Sequence, residues 1–279
     1  MIIHLIDGTY ELFRHFYGIR RFKKTDPPLG GVSGVLSTVA QLLDENNTHV
    51  GVATDHIIES FRNTLWPGYK TGAGIERALK AQFVPLEESL VAMGVTVWPM
   101  VELEADDALA SAAHLAAQDD RVEKVCIWTP DKDLAQCVVA DRVVQVDRRG
   151  GVIRDAAAVR AKFGVDPQFI PDYLALVGDS ADGYPGISGC GAKTAAQLIN
   201  RHGALENFGP EVLNEENRGL ALLFKDLATL RTDAPLFKDV DELRWRGTTP
   251  EFAQVAEKIG NASLLKRVRQ LERRLVSEK

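Results

Sequence analysis

Five short apolar runs punctuate the first half of the chain, at residues 2–6, 50–53, 95–98, 125–128 and 143–146. They are too continuous for strands with one wet face and suit central strands covered on both sides. Between them, apolar residues recur at helical spacing over 35–43, 77–93 and 106–117, the last rich in alanine and leucine. Strands alternating with helices predict an α/β fold with a mostly parallel sheet and crossover helices. In such sheets the functional crevice lies at the carboxyl ends of the strands. After about residue 155 the strand signal fades. Helical patterns follow at 156–163, 167–177, 193–201 and 219–230, separated by glycine and proline. The pattern therefore predicts an α/β domain over 1–165 and a smaller helical region over 166–279. Residues 68–74, after Pro67, read as a mobile loop, and 19–31 as a basic connection ending in prolines.

The acidic residues fall where that crevice is expected. Asp7 closes the first run and Asp55 the second. Glu104, Asp106 and Asp107 follow the third and open a helix, and Asp131 and Asp133 follow the fourth. Asp179 and Asp182 come from the helical region, in Gly178-Asp179-Ser180-Ala181-Asp182. Any one of these acids has a plain reading as a helix cap or a solvated surface charge. Together they do not: like charges gathered at one sheet edge repel, and burying them unpaired costs several kcal/mol each. Cations resolve the conflict. An all-oxygen ligand set without His or Cys points to Mg²⁺ or Mn²⁺ rather than zinc. Carboxylate clusters holding two such ions are the machinery of phosphodiester cleavage, with no nucleophilic side chain required.

Composition then removes competitors. With 279 residues, 45% hydrophobic and 26% charged, the chain can bury a real core, and no apolar stretch is long enough to span a bilayer. Nothing at the N-terminus resembles a secretion leader, so a cytoplasmic protein is expected. Cys126, Cys137 and Cys190 are odd in number and widely spaced, as reduced thiols would be. The net charge of −6 would usually argue against a nucleic-acid partner. The nine acids named above account for it, because without them 33 basic residues face 30 acidic ones.

The stretch Pro185-Gly186-Ile187-Ser188-Gly189-Cys190-Gly191-Ala192-Lys193-Thr194 invites comparison with a phosphate-binding loop of nucleotidases. Ala192 separates Gly191 from Lys193, and a helical stretch precedes the loop, so that reading fails. A plain helix–turn–helix connection and a helix–hairpin–helix remain. In the second, Gly189 and Gly191 let the backbone approach a phosphate and Lys193 adds charge in the first helical turn. Such a device grips backbone without reading bases.

Four motifs in order now carry a resemblance: Leu5-Ile6-Asp7-Gly8, Glu104-Ala105-Asp106-Asp107, Asp131-Lys132-Asp133-Leu134 and Gly178-Asp179-Ser180-Ala181-Asp182. With the hairpin, they resemble the 5′-nuclease domain of bacterial DNA polymerase I and its stand-alone relatives, the flap endonucleases, from residue 2 to about Pro235. The resemblance implies a PIN-like domain with a helical arch and a helix–hairpin–helix element. It implies cleavage of DNA at 5′ flaps and 5′ ends, leaving 5′-phosphate and 3′-hydroxyl products, by a monomer acting in replication and repair. RNA–DNA hybrids are compatible with the same cluster. Asp7, Asp55, Glu104 and Asp106 then match ligands of a first ion, and Asp131, Asp133 and Asp182 a second. Asp107 and Asp179 contribute directly or through water. Catalytic roles fall to Asp7, Asp131, Asp133 and Lys70, the last matching an arch lysine at the scissile phosphate. Arg14 and Arg62 match basic positions around the 5′ strand, and the hairpin is similar to one that holds K⁺ against the duplex. The sequence departs from the family at Ala73, where an arginine is usual, at Pro130, and at Gly183-Tyr184. The competing readings are a PIN-type ribonuclease and a hairpin DNA-binding protein with an inert α/β domain. The first should carry fewer acids and no hairpin, and the second should have lost acids.

Overall fold

The computed structural model describes residues 1–20 and 27–277, so part of the expected basic connection, 21–26, lies outside the described residues. The α/β part runs β1 (Ile2–Asp7), α1 (Gly8–Arg20), α2 (Gly30–Asp44), β2 (His49–Asp55), α3 (Arg62–Leu65), α4 (Arg77–Lys80), α5 (Phe83–Ala92) and β3 (Thr96–Met100). It continues through α6 (Ala105–Ala117), β4 (Lys124–Trp128), β5 (Val143–Asp147) and β6 (Val152–Arg154). The strands form one sheet in the order β3-β2-β1-β4-β5-β6, parallel except for β6. β1 lies between β2 and β4, so the chain winds away from it in both directions. That makes the carboxyl ends of β1 and β4 the switch point of the sheet.

Alternation along β1 explains the two layers. Ile3 and Leu5 face the small side chains of α6, including Ala105, Ala108 and Ala112, which let helix and sheet approach closely. Ile6, with Val50 and Val52 of β2, faces α1, α2 and α5 on the other side. Gly51 lies under the Trp98 ring, where a Cβ would come within 2.3 Å of the indole. At the β1–α1 junction, a Cβ on Gly8 would sit 2.8 Å from the Ala53 carbonyl oxygen, so the turn that places Asp7 requires glycine.

The single helix expected over 77–93 is two, α4 and α5, broken at Ala81 and Gln82. Pro85 explains the break: its ring and missing N–H cannot be reconciled with the carbonyl four residues back, at Ala81.

The helical part contains α7 (Ala156–Phe163), α8 (Ile170–Val177), α9 (Ala192–His202) and α10 (Glu215–Ala228). They share a separate core that includes Val165, Leu174, Ile199 and Phe224. The helical region expected over 166–279 does not stay together. Past α10 the chain returns to the α/β domain: Leu230, Val240 and Leu243 pack beneath α6, and Arg244 bridges to His49. Trp245 donates its indole N–H to the Met93 carbonyl at 2.8 Å. α11 (Phe252–Ile259) and α12 (Ala262–Ser277) are amphipathic, and their apolar stripe of Phe252, Leu264, Val268 and Leu271 joins the α2 core. No helix among the described residues is long and apolar enough to cross a membrane.

Candidate metal centre

Backbone amides and hydroxyls fix the acids at the switch point one by one. Asp7, the last residue of β1, accepts the Tyr10 N–H at 2.8 Å and the Thr129 hydroxyl at 3.0 Å. Asp55, the last residue of β2, accepts the Ala105 N–H at 2.8 Å, while its own N–H donates to the Thr9 hydroxyl at 2.8 Å. Glu104 caps α6 and Asp106 sits in its first turn, where the helix dipole favours negative charge. After β4, the Asp133 N–H donates to Asp131 at 3.1 Å, and the Gln145 amide donates to the Asp131 carbonyl. Asp179 and Asp182 lie in the loop after α8, between Gly178 and Gly183, both at positive φ. An antiparallel bridge between Asp179 and Tyr184 closes that loop.

The helical region and the sheet meet here. One ligand oxygen each from Asp133, Asp179 and Asp182 lies within 4.8 Å of the others, and all three residues are buried. Burial, reinforced by the charges of Asp131, Asp182 and Asp179, drives the Asp133 carboxyl well above the usual range. Burial lifts Asp7 to about 7, with Asp55 and Asp131 adding to the effect. Asp106 is raised well above its ordinary value by burial and by Asp131, Asp7 and Asp133. Asp55 and Asp182 are raised by burial as well. Each acid thus feels its neighbours, and the set from Asp7 to Asp182 forms one electrostatic unit. Asp133 Oδ1 is buried with no hydrogen-bond partner. A buried carboxylate oxygen left over, among mutually repelling acids with an all-oxygen donor set, fits a hard divalent cation.

Lys70 enters this cluster from the loop after α3. Its ammonium lies 2.7 Å from Glu104 and 3.0 Å from Asp182, so it faces acids contributed by both parts of the chain. Burial alone would lower its pKa, but Asp182 and Glu104 outweigh that and hold it well above the ordinary lysine value. Glu104 is correspondingly lowered: its burial is outweighed by Lys70 and Arg62. The sequence reading missed Lys132, whose ammonium lies 2.8 Å from Asp179. Its position between Asp131 and Asp133 was the available signal. Thr9, Ser60 and Thr129, which orient Asp55, Glu104 and Asp7, were missed as well.

Two assignments need correction. Asp107 is fully buried and spends its oxygens on Arg62, at 2.7 Å and 2.7 Å, and on the N–H groups of Glu104 and Arg231. Neighbouring helical positions point about 100° apart, so Asp107 looks into the fold when Asp106 faces the crevice. Arg62 is 1% exposed and cannot reach a DNA strand. Arg14 is half-buried and paired with Glu11, its Nε 3.0 Å from the carboxylate. Gly189 has φ of 79°, and Gly191 caps α9 with extended backbone. Both are exposed, as is Lys193 in the first turn of α9. In the arch region, the Gly72 N–H donates to Glu59 at 2.9 Å, and Arg77 and Lys80 begin and end the short α4.

Two family descriptions match the chain in sequence order: 5′-3′ exonuclease, N-terminal resolvase-like domain, over residues 2–164, and 5′-3′ exonuclease, C-terminal SAM fold, over 165–251. The chain belongs to the 5′-3′ exonuclease family. As a member it is a metal-dependent 5′ nuclease of DNA phosphodiester bonds. It is 30% identical to the 5′-3′ exonuclease of Aquifex aeolicus, covering 95% of this chain and 94% of that protein. It is 34% identical to DNA polymerase I of Pseudomonas aeruginosa over 86% of this chain, and spans 28% of that longer protein. A bacteriophage T5 flap endonuclease solved with DNA and metal ions has the same fold, with a TM-score of 0.65 at 19% identity over 97% of this chain and 98% of that one. The catalytic core of Rad2 in complex with DNA substrate matches with a TM-score of 0.58 at 15% identity, covering 96% and 91%.

Proposed function

We propose that this 5′-3′ exonuclease family member is a structure-selective nuclease that cuts 5′ flaps and trims 5′ ends with two Mg²⁺ or Mn²⁺ ions. The observation that carries the reading is the convergence of Asp133, Asp179 and Asp182 beside Lys70, with Asp7, Asp55, Asp106 and Asp131 on the same edge. Asp7, Asp55, Glu104 and Asp106 would hold one ion, and Asp131, Asp133, Asp179 and Asp182 the other. Ions held there supply Lewis acidity toward water and phosphate. The protein's own groups do the rest. Lys70 neutralises charge that builds on the phosphate in the transition state. The backbone between Gly189 and Gly191, with Lys193, grips duplex phosphates without reading bases, a grip that a K⁺ ion at the hairpin would share. The chain acts as a monomer on DNA in the cytoplasm.

The test compares a 5′-flapped duplex, a blunt duplex, an RNA–DNA hybrid and a single-stranded RNA, each with Mg²⁺, Mn²⁺ or EDTA. Flap cleavage that needs a divalent ion and leaves a 5′-phosphate is the expected result. Cleavage of single-stranded RNA faster than the flap would replace this reading with that of a PIN-type ribonuclease.

A further inference from the structure

Arg62 is among the largest fully buried side chains in the molecule, and its guanidinium contacts reach two other parts of the fold. Its guanidinium grips Asp107 with two bonds of 2.7 Å and reaches Glu104 at 3.1 Å, both on the N-terminal end of α6. Its remaining donors go to the Leu227 carbonyl at 2.7 Å and the Thr229 carbonyl at 3.2 Å, where α10 ends. The residue itself opens α3, in the segment that leads to Lys70. One rigid fork therefore ties three pieces together: the metal-centre helix, the base of the arch, and the end of the last helix in the helical core.

Glu104 shows what this tie is for. One of its oxygens takes the Ser60 hydroxyl at 2.7 Å and the Arg62 guanidinium. The other takes Lys70 at 2.7 Å and faces the Tyr69 hydroxyl at 3.4 Å. These four partners come from one short stretch, 60–70, and the capping box of α6 adds the Asp107 N–H from the helix itself. A carboxylate with several rotatable bonds is thereby held in one pose, and the Arg62 side chain hydrogen-bonds the stretch to both α6 and α10, beside the Trp66 ring on Phe224.

We infer that Arg62 is a positioning residue for the reaction: it fixes the Glu104 carboxylate toward the metal centre and sets the arch base that carries Lys70. A planar fork with five donors can serve two acids and two carbonyls at once, and an ammonium cannot. Partners of this kind, behind metal ligands, typically govern metal affinity or activity by 10- to 100-fold. The inference rests on the reading of Glu104 as a metal ligand, so the Glu104→Gln variant is included to separate the two.

The experiment measures three quantities for the wild type, Arg62→Lys, Arg62→Met and Glu104→Gln. They are kcat and KM on a 5′-flapped duplex with Mg²⁺, Mn²⁺ affinity by electron paramagnetic resonance without DNA, and flap affinity by fluorescence anisotropy in EDTA. For Arg62→Lys, kcat and Mn²⁺ affinity should each fall about tenfold or more, with KM and DNA affinity within threefold. Arg62→Met should be lower still. Unfolding of Arg62→Met would leave its acids at fault, so a double variant, Arg62→Met with Asp107→Leu, replaces the ion pair by apolar groups. Its kcat and Mn²⁺ affinity should remain depressed in folded protein. Loss of DNA affinity in EDTA with unchanged Mn²⁺ affinity would overturn the inference and make Arg62 a DNA contact. A lowered melting temperature with wild-type kcat and Mn²⁺ affinity would make it structural only, which also overturns it. Unchanged Mn²⁺ affinity in Glu104→Gln would instead remove Glu104 from the metal centre and leave the underlying reading at fault.

Discussion

Gly183→Ala tests how the arch base is docked against the loop that carries Asp182. Gly183 has φ of 86°, and a Cβ there would sit 2.0 Å from the Gly68 carbonyl oxygen. Two hydrogen bonds cross the same contact: the Trp66 indole donates to the Gly183 carbonyl at 3.0 Å, and the Lys70 N–H donates to the Asp182 carbonyl at 2.9 Å. The left-handed backbone costs a residue other than glycine about 1–2 kcal/mol. Weakening two hydrogen bonds adds about 0.5–1.5 kcal/mol each. The total of about 2–5 kcal/mol corresponds to a melting temperature lower by about 3–9 °C for a chain of this size. Relieving the overlap moves the 68–70 backbone by about 1 Å, and a displacement of that size at a catalytic group costs about 10²-fold in rate. Gly260→Ala is the control, since its φ of 71° carries the same strain, nothing lies within 4 Å of the added Cβ, and it ends α11 away from the site. Calorimetry and single-turnover cleavage of a 5′-flapped duplex should show Gly183→Ala clearly worse than Gly260→Ala in both stability and chemical rate. Equal melting temperatures and equal chemical rates for the two variants would refute the reasoning.

Urea unfolding in EDTA should show stability falling as pH rises from about 4 to 7. Folded Asp7, lifted by burial to about 7, keeps a proton that the unfolded chain has released, so the unfolded state gains on the folded one as pH rises through that range. Saturating Mg²⁺ should flatten the decline, and stability that rises over that range in EDTA would contradict the burial argument. Lys70→Met should lower kcat by about 10²- to 10³-fold in single-turnover assays, as loss of one group stabilising transition-state charge does; a wild-type rate would reassign Lys70 to structure. Lys193→Ala should weaken DNA binding and reduce the salt slope of log Kd by about 1, because one phosphate contact is lost. An unchanged slope would place Lys193 off the DNA path.

The parts of the fold that were legible were those dictated by burial. Strands β1, β2 and β5 are covered on both faces and β4 is buried on one and half-buried on the other, so their apolar runs stood out and the acids after β1, β2 and β4 marked the crevice. β6 is three residues long and mostly exposed, too short and too wet to leave a pattern. The α11–α12 return was hidden for another reason: amphipathic spacing shows that a helix has an apolar face but not which surface covers it. The candidate site divides in the same way. Residue type and strand position pointed to Asp7, Asp55, Asp131 and Asp133, whereas Asp179 and Asp182 follow a helix and had only their residue type and motif to mark them. Direction within α6 was not legible, so Asp107 was grouped with Asp106 although one faces inward. Arg62 read as a DNA contact through the family resemblance; the facing acid on α6 and the carbonyls at the end of α10, which make its burial tolerable, leave no mark in the local sequence.

Anomalous scattering from crystals grown with Mn²⁺ would locate the bound ions. One peak should lie within coordination distance of Asp133, Asp179 and Asp182, and a second toward Asp7 and Asp106. Mn²⁺ ordered elsewhere on the molecule, with neither position occupied at saturating concentration, would contradict that placement.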